Sequence, residues 1–503
     1  MKRMATAVRR SVLVGAAATL AVTTITTAAP AQQQGGAPGA ALAPSPMLRL
    51  TSAAPSVTLE RYRQRVYLNL GIYAAAGDQP FEIRAHRYAW DQPIQAFLEL
   101  PGGGEVALPD GSMENFTQLR QFFHLTITDG AGNRVMNRYP GFCPAGESVR
   151  IDPNAPHPSK AYPPYCPYNP YTVGGVYGIS PGHALPALGY YGGRAKLDVG
   201  DYTATMTIKG KYAAVMGISP TDRTSTVTVH VVDGAQCGRG CVRAKSSTTS
   251  GQGSSIVPRR PSAHQGMSRA SAVPPSTPLP DLRSLPAYAI ELNKKGFVSF
   301  AATVWNAGPS PMVVDGIRRQ GEDVMDAYQY FYDADGNEVG HAPAGSMEWD
   351  ARHGHQHWHF RDFAQYMLLD SNKNLAVRSR KEAFCLANTD AVDYTVEGAN
   401  WNPYNTDLHT ACGDYSALGV REVLDTGSGD TYYQNLPGQS FDVKNLPNGV
   451  YYIAIKANLN HVMQESSTTN NNSYRKIILK GTADNRRIVV PQKGIIDESH
   501  LYY

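Results

Sequence analysis

Apolar and polar residues alternate in short runs along most of this chain. RVYLNLGIY, IQAFLEL, QFFHLTITD, YTATMTIKG and STVTVHVVD carry the alternation between Val57 and Val232. FVSFAATVWNAG, AYQYFYDADGNEV, FAQYMLLDSNKNLAV, QSFDV, VYYIAIKAN and YRKIILKG carry it from Leu279 onward. Period-two runs rich in β-branched and aromatic residues, separated by turn signals such as DGAGN and LDVGD, predict half-buried strands. The expected fold class is all-β, with two β-sandwich-like domains.

The breaks in the pattern set the boundaries. Residues 1–31 read as a signal peptide, 32–55 as a flexible leader rich in Gln, Gly, Ala and Pro, and 56–233 as an N-terminal β domain without a metal site. Residues 234–278, rich in Ser, Pro and Arg without apolar periodicity, read as a disordered basic linker open to proteases. Residues 279–503 form the second β domain with its C-terminal tail.

The two domains look like copies. Gly111-Ser112-Met113-Glu114 matches Gly345-Ser346-Met347-Glu348, Phe142-Cys143 parallels Phe384-Cys385, and LDVGDYTATMTI parallels LPNGVYYIAIKA. These parallels predict a degenerate internal duplication whose first copy lacks a ten-residue insert present in the second.

Composition supports ordinary cores: 503 residues at 42% hydrophobic content suffice for two or more. Lys2, Arg3, Arg9 and Arg10 precede an apolar run from Val12 to about Ala29 that ends in an A-x-A pattern, the signature of secretion. No later stretch is long and apolar enough to span a membrane, so no membrane partner is expected after signal cleavage. Removing those four basic residues leaves 42 basic and 42 acidic groups. The balance is uneven, because residues 281–503 hold 20 basic and 27 acidic groups, net −7. That sign attracts cations and argues against nucleic acid. Six cysteines in an exported chain favour disulfides, and pairing in sequence order gives Cys143–Cys166, Cys237–Cys241 and Cys385–Cys412.

The chemistry concentrates around the insert, in WDARHGHQHWHF, residues 349–360. His353, His355, His357 and His359 occupy every second position, four of the chain's 14 histidines. Imidazole is a common transition-metal ligand. A flat strand would put the outer pair of three such histidines roughly 13 Å apart, and a helix would turn the middle one away. Three nitrogens can meet on one ion only at a bent strand end, bulge or loop. From spacing alone, a metal site and a solvated His-rich loop are equally good readings.

WDARHGHQHWHF resembles the copper-binding motif of lysyl oxidases, W-x-W-H-x-C-H-x-H-Y-H. The similarity continues in order through FRDFAQYMLLDSNKNLAVRSRKEAFCL, DTYYQNLPGQSFDVKNLPNGVYYIAI and ESSTTNN, across roughly residues 279–480. The resemblance implies copper, Cu2+, held by His355, His357 and His359, with His353 outside the triad. It implies a lysine tyrosylquinone formed from the lysine of K-x-x-F-C-L, here Lys381, and the tyrosine of D-T-Y, here Tyr432. Tyr433 and Tyr415 lack that context. Addition of the Lys381 amine requires its neutral form, so the resemblance also implies a buried Lys381. The reaction implied is oxidation of a primary amine, most simply a lysine side chain of a protein, by dioxygen to an aldehyde, with hydrogen peroxide and ammonia released. Asp430, Asp414 and His409 are the nearest candidates in sequence for the general base.

A calcium site is also implied. Glu465, Asn470 and Asn471 fall on the family's E-S-D-Y-T-N-N, and Asp281 with the Leu282 carbonyl on its P-D-L, an oxygen set suited to Ca2+. Ser467 stands where the family has Asp. The motif's cysteine is Gly354, one of its histidines is Arg352 and its second tryptophan is Ala351. Cys385–Cys412 resembles a family disulfide. Two rival readings are a non-catalytic extracellular copper-binding protein and a surface or adhesive β protein; neither requires both Lys381 and Tyr432.

Overall fold

Alternation becomes strand nearly everywhere: the described residues form thirty-two strands and one short helix, Gly210–Val215. The computed structural model describes residues 47–498 apart from 156–160, 190–192, 235–273, 320, 352–355, 380, 382, 404–411 and 437. The expected signal segment, nearly all of the linker, Cys237, Cys241, His353, His355 and His409 lie outside the described residues. Among the described residues, no helix is long and apolar enough to cross a membrane.

The strands make six sheets, three from residues 48–233 and three from residues 282–489. Each set closes on its own core. Leu59, Phe81, Phe123, Ile127, Val229 and their neighbours fill the first. Phe300, Met325, Trp358, Tyr366, Ile453 and Ile477 belong to the second, to which all three C-terminal sheets contribute. The two disulfides within the described residues follow sequence order, Cys143–Cys166 and Cys385–Cys412.

Two stretches depart from the sequence reading. Leu48–Ser52, placed in the flexible leader, is a strand paired antiparallel with Ile72–Ala76. Its LRLTS alternation buries Leu48 and Leu50, a short signal masked by Ala and Pro on either side. The matched Gly-Ser-Met-Glu tetrads differ locally, since Gly111–Glu114 turns whereas Gly345–Glu348 lies within the strand Glu338–Asp350. LDVGDYTATMTI and LPNGVYYIAIKA do correspond: Gly200–Ile208 and Gly449–Ala457 are each central strands flanked by an earlier hairpin and a following strand.

The two sets form one packed unit. Residues 162–173, YPPYCPYNPYTV, run from the first set onto the second. The Val173 N–H donates to the Val392 carbonyl at 2.8 Å, and the Tyr394 N–H to the Gly174 carbonyl at 3.1 Å. Tyr171, Leu285, Tyr288, Trp305, Val392 and Ile496 share a separate apolar cluster across this seam. Ile496 belongs to the C-terminal tail, which therefore closes back onto the N-terminal half, with Ile495 N–H donating to the Trp90 carbonyl at 2.8 Å.

Candidate functional site

The insert forms the end of a hairpin. Strand Glu338–Asp350 pairs antiparallel with His357–Arg361, matching Asp350 to His357, Trp349 to Trp358 and Glu348 to His359. HWHF alternates, so Trp358 and Phe360 point into the core while His357 and His359 share the other face. Strand geometry begins only after Gln356, whose φ of 41° marks the bend at the strand end. The Nε2 atoms of His357 and His359 stand 2.8 Å apart. Two ligands about 2.0 Å from one ion at a right angle are separated by about 2.8 Å, so the pair already has the spacing of cis ligands. His359 is buried, and its Nδ1 lies 3.4 Å from Asp350 Oδ2. A carboxylate on the far nitrogen fixes the orientation of the imidazole, with Nε2 turned toward His357. The third expected ligand, His355, lies outside the described residues, and among those described no three metal-binding side chains converge.

Lys381 and Tyr432 are brought together from distant parts of the chain. Tyr432 ends the strand Ser428–Tyr432, which pairs with Phe297–Asn306. Lys381 Nζ lies 3.9 Å from the centre of the Tyr432 ring, and 4.9 Å from that of Phe384. Lys381 is only 5% exposed. Its backbone is held from below: the Lys381 N–H donates to Ser379 Oγ, and Ser379 Oγ–H donates to the Gly438 carbonyl at 2.7 Å. Gly438 has φ 87°, and a Cβ there would stand 2.9 Å from the Lys381 Cβ, so only glycine suits both the turn and the lysine. The Tyr432 hydroxyl accepts from the Cys385 N–H at 2.6 Å and donates to the Cys385 carbonyl at 2.9 Å.

The same segment ties the quinone candidates to the histidine strand. Phe384 pairs with Phe360, and Cys385 is bonded to Cys412, whose carbonyl receives the Trp358 N–H at 2.9 Å. The other two tyrosines are differently engaged. The Tyr433 hydroxyl donates to that of Tyr168 in the N-terminal half, and the Tyr415 hydroxyl to Asp323 Oδ1 at 2.6 Å.

Three buried carboxyls lie on or beside the strand that carries Tyr432. Asp430 shares a strand with Tyr432, is 3% exposed, and has an Oδ2 without a hydrogen-bond partner. Burial raises its carboxyl well above the ordinary range, opposed by the charge of Lys381. Glu422 is fully buried and likewise raised well above its ordinary value by burial, although the Leu386 N–H donates to its Oε2. Burial also raises Asp390 to about 6. Tyr432 is raised well above the usual phenol range, first by burial and then by Asp430. Of the other base candidates, Asp414 is exposed and caps its own turn through Ser416, and His409 lies outside the described residues. Glu422 and Asp390 were not among the residues singled out from sequence. The available signal for Glu422 was a carboxyl at an inward position of GVREVL, between buried Val420 and Leu424.

The oxygen-rich cluster assembles in part. Asp281, Glu465, Asn470 and Asn471 meet where residues 280–284 cross the 465–471 turn. The Asn470 amide donates to both Asp281 oxygens at 3.0 and 3.1 Å, the Asn471 amide to Glu465 Oε1 at 2.7 Å, and the Leu282 N–H to Glu465 Oε2 at 2.8 Å. Arg283 also pairs with Asp281 at 2.7 Å. Asn470 Oδ1 and Asn471 Oδ1 are buried acceptors with no donor. Two carboxylates beside two unsatisfied amide oxygens fit a hard cation. Ser467 instead hydrogen-bonds Thr469 at 3.1 Å.

Comparison with known proteins places the same region in context. Residues 333–488 match the family model described as Lysyl oxidase, a span containing the histidine strand, Lys381, Tyr432 and Glu465–Asn471 but not Asp281. Over 131 residues, 26% of this chain, it is 30% identical to protein-lysine 6-oxidase of Homo sapiens and to lysyl oxidase homolog 1 of Homo sapiens, covering 27% and 20% of those proteins. It is 28% identical to protein-lysine 6-oxidase of Sus scrofa, covering 45% of it. The aligned part thus spans less than half of each of these relatives.

Proposed function

Proceeding from a lysyl oxidase domain at residues 333–488, we propose that this protein is a secreted, copper-dependent amine oxidase that converts primary amines, foremost lysine side chains of proteins, to aldehydes. The observation that carries the reading is the Lys381 amine lying 3.9 Å over the Tyr432 ring, with both groups buried. An amine adds to an oxidised phenol ring through the face of that ring, and neither copper storage nor adhesion calls for such a placement.

His355, His357 and His359 would hold Cu2+, with Asp350 orienting His359. Held there, copper would supply redox chemistry with dioxygen, and a quinone derived from Tyr432 and linked to Lys381 would supply a carbonyl for a primary amine. The protein's own groups do the rest. Ser379 and Gly438 hold the Lys381 backbone, and the Cys385 backbone holds the phenol oxygen by two hydrogen bonds. Asp430 Oδ2 is the candidate to take the substrate α-proton: it is buried, has no hydrogen-bond partner, and burial raises its carboxyl while the Lys381 charge opposes that rise. The net −7 of residues 281–503 favours approach of an ammonium group. Asp281, Leu282, Glu465, Asn470 and Asn471 would bind Ca2+ as a structural clasp between two segments of the domain, with Ser467 at the position of a lost carboxylate.

The test is a peroxide assay on copper-loaded full-length protein with a lysine-containing peptide, its acetyl-lysine counterpart and a simple alkylamine. Peroxide that depends on a free primary amine, with matching aldehyde, is expected. Its absence with every primary amine, in protein shown to contain one copper per chain, would sink the reading.

A further inference from the structure

One charged side chain at the seam of the two halves has no counter-ion. Arg87 is only 6% exposed, yet among the described residues no carboxylate lies within ion-pairing distance and its buried Nε has no hydrogen-bond acceptor. Its side chain lies beside the Phe116 ring, 5.1 Å from the guanidinium carbon, and within electrostatic reach of the buried Tyr177 phenol. Burial lowers its pKa to about 10, so it stays charged at neutral pH. A buried unpaired guanidinium is costly, and proteins keep such groups where an anion completes them.

Arg87 lines a cavity of about 580 Å³ built from both halves, and also a neighbouring one that includes Glu114 and Asp497. Two more cations line the first, Arg283 and Lys493, along with the rings of Trp90 and Trp305. Lys493 Nζ lies 5.6 Å from the Trp90 ring, and the Trp90 indole N–H is a second buried donor without an acceptor. The charges do not cancel internally. Arg283 is matched by Asp281, and the cavity's own carboxyl, Asp393, accepts from the Thr395 N–H and hydroxyl. Against the three cations stand two carboxylates, Asp281 and Asp393, so one positive charge remains over, beside the rings of Trp90 and Trp305.

We propose that this seam cavity binds a carboxylate carried by a ring, with the Arg87 guanidinium forking onto the carboxylate and Trp90 and Trp305 flanking the ring. The size suits one small organic ligand. Aromatic acids and uronic acid sugars share this chemistry. The inference does not rest on the amine oxidase reading, since none of these residues belongs to the copper or quinone machinery.

Calorimetric titration of the full chain with 3-phenylpropionate and with glucuronate, each against its uncharged amide or glucose counterpart, tests it. One acid should bind at one site per chain, at least tenfold tighter than its neutral counterpart, and which acid does so identifies the ring type. Arg87→Met should weaken that acid at least tenfold while leaving its neutral counterpart unchanged, and Lys493→Met should weaken it less. If a melting curve shows Arg87→Met unfolded, Arg87→Lys replaces it; that variant keeps the charge, loses the fork and should bind several-fold more weakly. No binding of either acid, equal binding of acid and neutral counterpart, or acid binding indifferent to the Arg87 variants would overturn the proposal.

Discussion

The two halves of the chain share a sheet and differ in what is mounted on it. Arg134–Arg138, Phe123–Asp129, Gly200–Ile208 and Thr224–Asp233 lie side by side in the N-terminal half, and Leu375–Arg378, Ala364–Leu369, Gly449–Ala457 and Asn472–Thr482 lie in the same order in the C-terminal half. Four residues before the first long strand of each, Leu119 bridges Phe142 and Phe360 pairs with Phe384, and each of those phenylalanines precedes a disulfide cysteine. Counted from these pairs, Phe116 and Gln118 stand where the other half has His357 and His359, and Tyr139 stands where it has Lys381. Tyr139 is 48% exposed and Phe116 is packed in the core, whereas Lys381 is buried against a tyrosine. One scaffold therefore tolerates either set, and the chemistry lies in a few side chains and the extended hairpin, not in the sheet.

Lys381→Met should produce the largest effect: amine-dependent peroxide falls to the blank while copper content and melting temperature hold, because a buried amine is exchanged for an apolar chain of similar length. His359→Gln, which copies the N-terminal half, should remove a ligand and cost more copper affinity than Asp350→Asn, for which a loss of about 10–100-fold is expected; competition with a copper chelator measures both. The disulfides separate scaffold from site. Their sequence separations of 23 and 27 are similar, so serine replacement of either pair should destabilise folding by about 3.5 kcal/mol, measured by denaturant unfolding. Only loss of Cys385–Cys412 should also abolish activity, since Cys385 holds the Tyr432 hydroxyl.

Asp390 adds a pH dependence at the seam, where Asn169 of the N-terminal half contributes to its hydrogen bonding. Its folded-state pKa of about 6 is above its ordinary value, so the folded protein holds the extra proton. Stability from this group is complete below about pH 4 and is lost as the pH rises to about 6, by at most roughly 3 kcal/mol. Asp390→Asn should remove that slope in unfolding curves taken from pH 4 to 7. Gly438→Ala should cost less stability than loss of a disulfide, about 1–2 kcal/mol from the left-handed backbone. It should also slow formation of the Lys381 link by displacing the lysine backbone, visible as a slower rise in quinone absorbance on copper addition.

Much of this was legible in the residues, for definable reasons. Two-residue alternation reports burial on one face, and so the strands of both halves, and the opposed faces of HWHF, follow from it directly. Leu48–Ser52 escaped because five residues of alternation are weak beside a Pro- and Ala-rich leader. Lys381 and Tyr432 are far apart in the chain, one between strands and the other at a strand end; motif context could pair them, but only the fold places an amine over a ring. Glu422, Asp390 and Gly438 were not singled out because their roles are set by neighbours distant in sequence. The identical Gly-Ser-Met-Glu tetrads show the converse, since the same four residues turn in one half and extend in the other.

The most direct test is peptide mass spectrometry of the full-length protein after copper loading in air. A covalent link between the peptides bearing Lys381 and Tyr432, absent from metal-free protein and from Lys381→Met, is the predicted result. Unmodified Lys381 and Tyr432 peptides at full yield from protein that has bound one copper per chain would contradict it.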